Sequence, residues 1–212
     1  MHKRRDNIIA LFLSLIGSIY VIYYIFHAAT DLVSSDYIRI INYYLDDIDN
    51  LAPMFSLEGI MSVPFTYLCR YINVKFFNYS VYFDEVVGVI GLFIFNFITV
   101  KYVLKTIKTR VLSIIISIVV TFISFSLMAW EMILNGTGYP HFITVGLVAT
   151  TYYLFDSFVV GFASVRPCDD VAISRRLGPI ILLLIPITSL FFAGSYSVGY
   201  LTTLIFSSIM LL

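Results

Sequence analysis

Long apolar runs separated by short polar segments dominate this chain, and they recur at the length a helix needs to cross a bilayer. Ile8 to Phe26 holds nineteen residues without a charge, close to the ~20 that span the hydrocarbon core as a helix. Further runs at 86–104, 111–129, 143–163, 177–193 and 198–212 predict five more such helices. The expected fold is all-α, a polytopic transmembrane bundle of about six spans forming one membrane domain over 1–212. The basic residues before Ile8 and the Ala28–Ala29 pair after it share the general order of a signal peptide. The apolar core of a signal is usually only about 7–15 residues, so a retained first helix is the expectation. The last run is apolar to Leu212, which predicts an N-terminal portion of a longer chain.

The one long polar segment is Thr30 to Glu85. Within it Tyr37, Ile38, Ile41, Tyr44, Leu45 and Ile48 recur at three- and four-residue spacing after Ser35, a residue suited to capping a helix that runs to about Asp47. Pro64 suits the first turn of a second short helix, expected to bury Phe65, Leu68, Cys69 and Ile72 while Arg70 and Asn73 face away. The segment therefore reads as two amphipathic helices lying on the membrane surface. Its aromatic content is far above that of disordered tethers.

Composition reinforces the membrane reading. Hydrophobic residues make up 60% of the chain and charged residues 12%, with a mean hydropathy of +0.95, whereas about a quarter of an ordinary soluble domain is charged. The net charge of zero conceals a strong asymmetry. Ten of the thirteen Lys and Arg residues lie before the first run, at the end of the second or between it and the third, or between the fourth and fifth, leaving only Arg39, Arg70 and Lys75 on the opposite side. The positive-inside rule then predicts a cytoplasmic N-terminus, with the 30–85 loop outside a cell membrane. Nothing in this charge pattern suggests a nucleic-acid partner. Cys69 and Cys168 are expected on opposite sides of the bilayer, which precludes a bridge between them.

Candidate chemistry concentrates outside. The 30–85 loop carries Asp31, Asp36, Asp46, Asp47, Asp49, Glu58, Asp84 and Glu85 against its three basic residues. Asp31 and Asp36 follow the first span closely, at the depth of a lipid headgroup, where a partly buried carboxylate serves as a general base toward a hydroxyl. Asp36 fits equally well as a helix-starting acid at a positive dipole end. Arg39 and Arg70 are the only outer arginines, and a guanidinium matches phosphate oxygens in bidentate fashion. In the second outer segment Glu131 and His141 flank a turn containing Asn135, Gly136 and Gly138, which backbone geometry alone also explains. Asp47 and Asp49 form an acid-x-acid pair of the kind that takes a divalent cation, but no metal site or other cofactor is expected. Asp156 lies inside the fourth run, where a charge requires a partner; Arg166 is the expected one. No nucleophile elbow, phosphate-binding glycine loop, paired metal-binding histidines or Cys-x-x-Cys occurs, which disfavours hydrolase, ATPase and zinc chemistry.

The order of these features, with the loop opening Thr30 to Arg39 and the later run Trp130 to Phe142, resembles the N-terminal part of bacterial GT-C membrane glycosyltransferases of surface-polysaccharide biosynthesis. The resemblance covers about Asp6 to Asp156. It implies transfer of a sugar from a polyprenyl-phosphate donor to a glycan acceptor on the outer face, with an acidic residue of the first outer loop as base. Carried onto this chain, that role falls to Asp36, then Asp31, with Glu131 as a second acid; the residues themselves add Arg39, Arg70 and His141 as substrate-binding candidates. Such enzymes have more spans and often a soluble C-terminal domain, so a truncated, inactive part of one is also consistent. The alternatives are a carrier or flippase for a lipid-linked glycan, centred on Asp156 and the helix kink at Pro186, and a non-catalytic membrane subunit.

Overall fold

The computed structural model describes residues 2–28, 64–134 and 138–163. All regular structure among them is helical: α1 (His2–Ala28), α2 (Pro64–Phe77), α3 (Val81–Thr106), α4 (Arg110–Ser124), a 3-10 turn (Leu127–Ala129), the single turn α5 (Trp130–Ile133) and α6 (Tyr139–Ala163). Two stretches, Arg5–Ala28 and Val81–Thr106, are long and apolar enough to cross a membrane. The predicted spans at 177–193 and 198–212, Pro186, and the surface helix expected at about 35–47 lie outside the described residues.

Several boundaries differ from expectation. The second predicted run begins at Val86, but α3 starts at Val81 and so takes Asp84 and Glu85 out of the loop and into its first turns. At its other end α3 continues past the predicted limit at 104 to Thr106. The third predicted span, 111–129, divides: α4 stops at Ser124 after 15 residues and a 3-10 turn follows. At 1.5 Å per residue that helix is only about 22 Å long, shorter than a ~30 Å hydrocarbon core.

Helix α3 is the centre of the bundle, and α1, α4 and α6 all run antiparallel to it. At one end Arg110 bonds Asp6 and Lys105 bonds Asp156, each at 2.7 Å, which ties the start of α4 to the start of α1 and the end of α3 to the body of α6. At the other end Phe26 stacks on Tyr82 with ring centroids 5.3 Å apart. The first will be called the basic end and the second the α2 end. Between them lie two apolar clusters, Val21, Ile25, Val89, Leu92, Phe125 and Ile133 toward the α2 end, and Ala10, Val100 and Leu104 toward the basic end.

Small and hydroxylated residues let these helices approach closely. The α1 stripe runs Ala10, Ser14, Ser18 and Val21, and the α4 stripe runs Ser113, Ser117 and Thr121, all buried. The Asn96 amide of α3 sits between them, donating to Ser14 Oγ at 2.9 Å and Thr121 Oγ1 at 3.3 Å. On the opposite face, Gly91 lies against the backbone of Phe142 and Ile143, and a Cβ on Gly146 would stand 2.8 Å from the Gly91 carbonyl oxygen. The outward faces are the reverse. Phe12, Ile16 and Ile19 of α1, with Val111, Ile115 and Phe122 of α4, are exposed.

Gly91→Ala should therefore lower thermal stability in detergent by about 1–3 kcal/mol, because the backbone of α6 must move. Gly88→Ala should cost less than about 1 kcal/mol, since its Cβ would meet the movable ring of Phe142 at 3.2 Å. Equal losses for the two variants would remove the backbone contact as the determinant of the α3–α6 crossing.

Candidate functional site

The α2 end gathers the buried charged residues Arg70, Asp84 and Glu85. Helix α2 begins at Pro64 as the sequence predicts and buries Cys69 as expected, but its buried face is rotated toward the polar residues. Arg70 and Asn73, expected to face away, are 2% and 0% exposed, while Leu68 is exposed. The reason is the tight turn into α3, which places Asn78 and Tyr79 at φ 51° and 62°. A left-handed tyrosine is uncommon and needs support. Asn73 provides it by bracketing Ser80: its Nδ2 donates to the Ser80 carbonyl at 2.8 Å, and its Oδ1 accepts from the Ser80 N–H at 2.9 Å. Arg70 Nη1 donates to the Tyr79 hydroxyl at 3.3 Å.

This turn folds α2 back on the start of α3, with Phe77 and Phe83 ring centroids 4.6 Å apart. Asp84 and Glu85 are thereby enclosed, at 0% and 3% exposure. The Cys69 thiol lies within the field of both Asp84 and Arg70. Burial, and then the Asp84 charge, push its pKa up to about 12, with Arg70 acting in the opposite direction. Arg70, Asp84 and Glu85 each take part in further polar or electrostatic contacts, as buried charges must.

Glu85 also lines a narrow crevice, too tight for a water molecule, with Gly88, Val89 and Leu92 of α3, Met132 and Ile133 of α5, and Tyr139 and Phe142 of α6. It is the one ionisable carboxylate in an otherwise apolar wall. The chain enters α6 directly over the Met132 carbonyl, where any Cβ on Gly138 would collide. That close approach explains a glycine at 138 by backbone geometry.

The predicted site residues divide into three groups. Asp31, Asp36 and Arg39 lie outside the described residues, as do Asp47 and Asp49. Arg70 is at the centre of the buried cluster. Glu131, on α5, is exposed, and His141, in the first turn of α6, is partly buried; both lie at the α2 end, beside the crevice-lining Met132 and Tyr139 but not lining the crevice themselves. At the basic end Asp156 pairs with Lys105; Arg166, the partner expected from the sequence, lies outside the described residues. Among the described residues no three His, Cys, Asp or Glu side chains gather in a way that would hold a metal ion.

Asp84 and Glu85 are the residues that reading the sequence missed as a site. Their signal was present: Val81, Asp84, Gly88, Gly91 and Leu92 continue one helical stripe, with the carboxylates on its buried side. Comparison of the chain with known protein families, characterised proteins and solved structures finds no match.

Two measurements test the environment of this end. Raised to about 12, Cys69 has about a thousandfold less thiolate than an ordinary cysteine. In a Cys168→Ser background it should resist N-ethylmaleimide until the protein is unfolded, and native labelling at the rate of a free thiol would contradict its burial. His141 precedes the predicted span at 143–163, and burial holds its pKa below the ordinary 6.5. The folded state then favours neutral imidazole, so the unfolded chain takes up the proton first as pH falls. Stability should be full above about pH 6.5 and decline as pH drops through the folded value, a slope that His141→Gln should flatten in thermal unfolding.

Proposed function

We propose that the chain is a multi-pass membrane protein of the GT-C type, transferring a sugar from a polyprenyl-phosphate donor to a glycan acceptor at the α2 end of the bundle. The apolar outer faces of α1 and α4 support its placement in lipid, because contiguous exposed apolar surface of this extent is foreign to soluble monomers. Arg5, Lys105, Lys108 and Arg110 share the basic end. By the positive-inside rule that end faces the cytoplasm and α2 lies outside.

The observation that carries the reading is the joint burial of Arg70, Asp84 and Glu85 beneath a helix at the bundle's edge. Strongly desolvated charges in a wall of apolar residues are candidates for a functional site and weak contributors to stability. In the transfer, a carboxylate takes the proton of the acceptor hydroxyl as that oxygen bonds the sugar's anomeric carbon. The bond from that carbon to the phosphate oxygen breaks, and polyprenyl phosphate leaves with its charge facing a guanidinium. Asp36 is the proposed base, with Asp31 and Glu131 as further acids; Arg70 and Arg39 face the phosphate, and His141 the sugar. The carrier alternative centred on Asp156 has less support, because that carboxylate is ion-paired to Lys105 at 2.7 Å.

Proteoliposomes supplied with a panel of radiolabelled polyprenyl-phosphate hexoses and a glycan acceptor test the reaction. Asp36→Asn should reduce transfer by about a hundredfold or more at unchanged protein level. Undiminished transfer would remove Asp36 as the base, and no transfer by the wild-type chain with any donor would remove the reaction. A Ser56→Cys variant in intact cells should react with an impermeant maleimide from outside.

A further inference from the structure

At the basic end, Lys101 and Lys105 stand one turn apart on α3 and converge on a single aromatic residue of α6. Lys101 Nζ lies 4.9 Å from the centroid of the Tyr153 ring and 5.2 Å from that of Phe97. Lys105 Nζ lies 5.7 Å from the Tyr153 centroid. Their counter-charges are unequal. Lys105 bonds Asp156 Oδ2 at 2.7 Å, while among the described residues no carboxylate is within ion-pair distance of Lys101. Among the described residues the two ammonium groups thus face a single carboxylate, bonded to Lys105 alone, and their surroundings keep a net positive charge.

The chemistry of Lys101 is specific. An ammonium has three N–H donors, and an aromatic face attracts the charge without accepting full hydrogen bonds. Lys101 is partly exposed along the lateral face of the bundle, and lies about 6 Å deeper along the α3 axis than Lys105. A ligand that reaches it must bring anionic oxygens to the edge of the apolar zone and carry an apolar remainder alongside Phe97 and Tyr153.

We propose that the groove between α3 and α6 at the basic end binds the phosphodiester of an anionic phospholipid, with Lys101 as its principal ligand and Lys105 as the second. Basic pockets between membrane helices suit such headgroups. The inference rests on the placement of the bundle in lipid and not on the transferase chemistry, so glycan transfer plays no part in its test.

The purified full chain in neutral detergent is titrated with phosphatidylglycerol, phosphatidylcholine or inorganic phosphate, and thermal unfolding is followed. Phosphatidylglycerol should raise the midpoint saturably, and the other two should not. Lys101→Gln should raise the half-saturating phosphatidylglycerol concentration about fivefold, while Lys75→Gln, at the opposite end, should leave it unchanged. Asp156→Asn provides an independent variant, since removing the shared counter-charge should tighten binding. A phosphatidylglycerol response identical in wild type and Lys101→Gln would overturn the proposal. So would an equal response to phosphatidylcholine, or inorganic phosphate saturating the same site, which would make it an anion site rather than a lipid site.

Discussion

Where α3 crosses α6, two backbones meet with no side chain between them. Gly91 lies against the main chain of Phe142 and Ile143, and Gly146 against the Gly91 carbonyl. In lipid, helices gain little from hiding apolar surface from one another, so association depends on close van der Waals approach and interhelical hydrogen bonds. The glycine contact supplies the first. It fixes the axial register of α6 on α3, and with it which residues of the two helices meet at either end: Glu85 and Tyr139 at one, Lys105 and Asp156 at the other.

The opposite face of α3 depends on hydrogen bonding. Ser113, Ser117 and Thr121 each give their hydroxyl proton to a carbonyl one turn back in α4, which leaves their oxygens as acceptors. Thr121 accepts from the Asn96 amide, and Ser14 of α1 accepts from the same nitrogen. Bonds of this kind between membrane helices average only about 0.6 kcal/mol. Asn96 Oδ1 and Ser18 Oγ are buried without a partner among the described residues, which offsets part of the gain. The small net energy suits a role in register: sliding α1 so that Ala10 took the place of Ser14 would leave the amide with Thr121 alone.

How much of this was legible in the sequence follows from which interactions are local. The start of α2 at Pro64, the apolar runs of α1 and α3, and the segregation of Lys and Arg are written in consecutive residues. The burial of Arg70 and Asn73 was not, because a helical wheel assigns polar residues to solvent and gives no warning that a left-handed turn at Asn78 and Tyr79 will close over them. The start of α3 was misplaced because uninterrupted apolarity is a stricter criterion than helicity. Two carboxylates are tolerated in its first turns once α2 covers them. The partner of Asp156 was missed because Lys105 lies 51 positions away and meets it only through the α3–α6 register. Of the candidate site, Arg70 stood out as one of few basic residues in the 30–85 segment, whereas Asp84 and Glu85 were assigned to the loop although the helical stripe that carries them was visible.

The two ends of α3 resolve their charges differently, and the difference bears on function. At the basic end the side chains of Lys105 and Asp156 are 40% and 34% exposed, and those of Arg110 and Asp6 are 34% and 23% exposed. Pairs so open to solvent contribute little to stability, typically up to about 1 kcal/mol; their value lies in orientation and in what the excess cations attract. At the α2 end Arg70, Asp84 and Glu85 are fully enclosed, and the desolvation of such groups often exceeds what their mutual attraction returns. An apolar set of similar volume would hold α2 against α3 at least as well. Stability therefore gives no sufficient reason for three ionisable groups there, whereas the proposed anionic, lipid-borne substrate arriving at the edge of the bundle would give one.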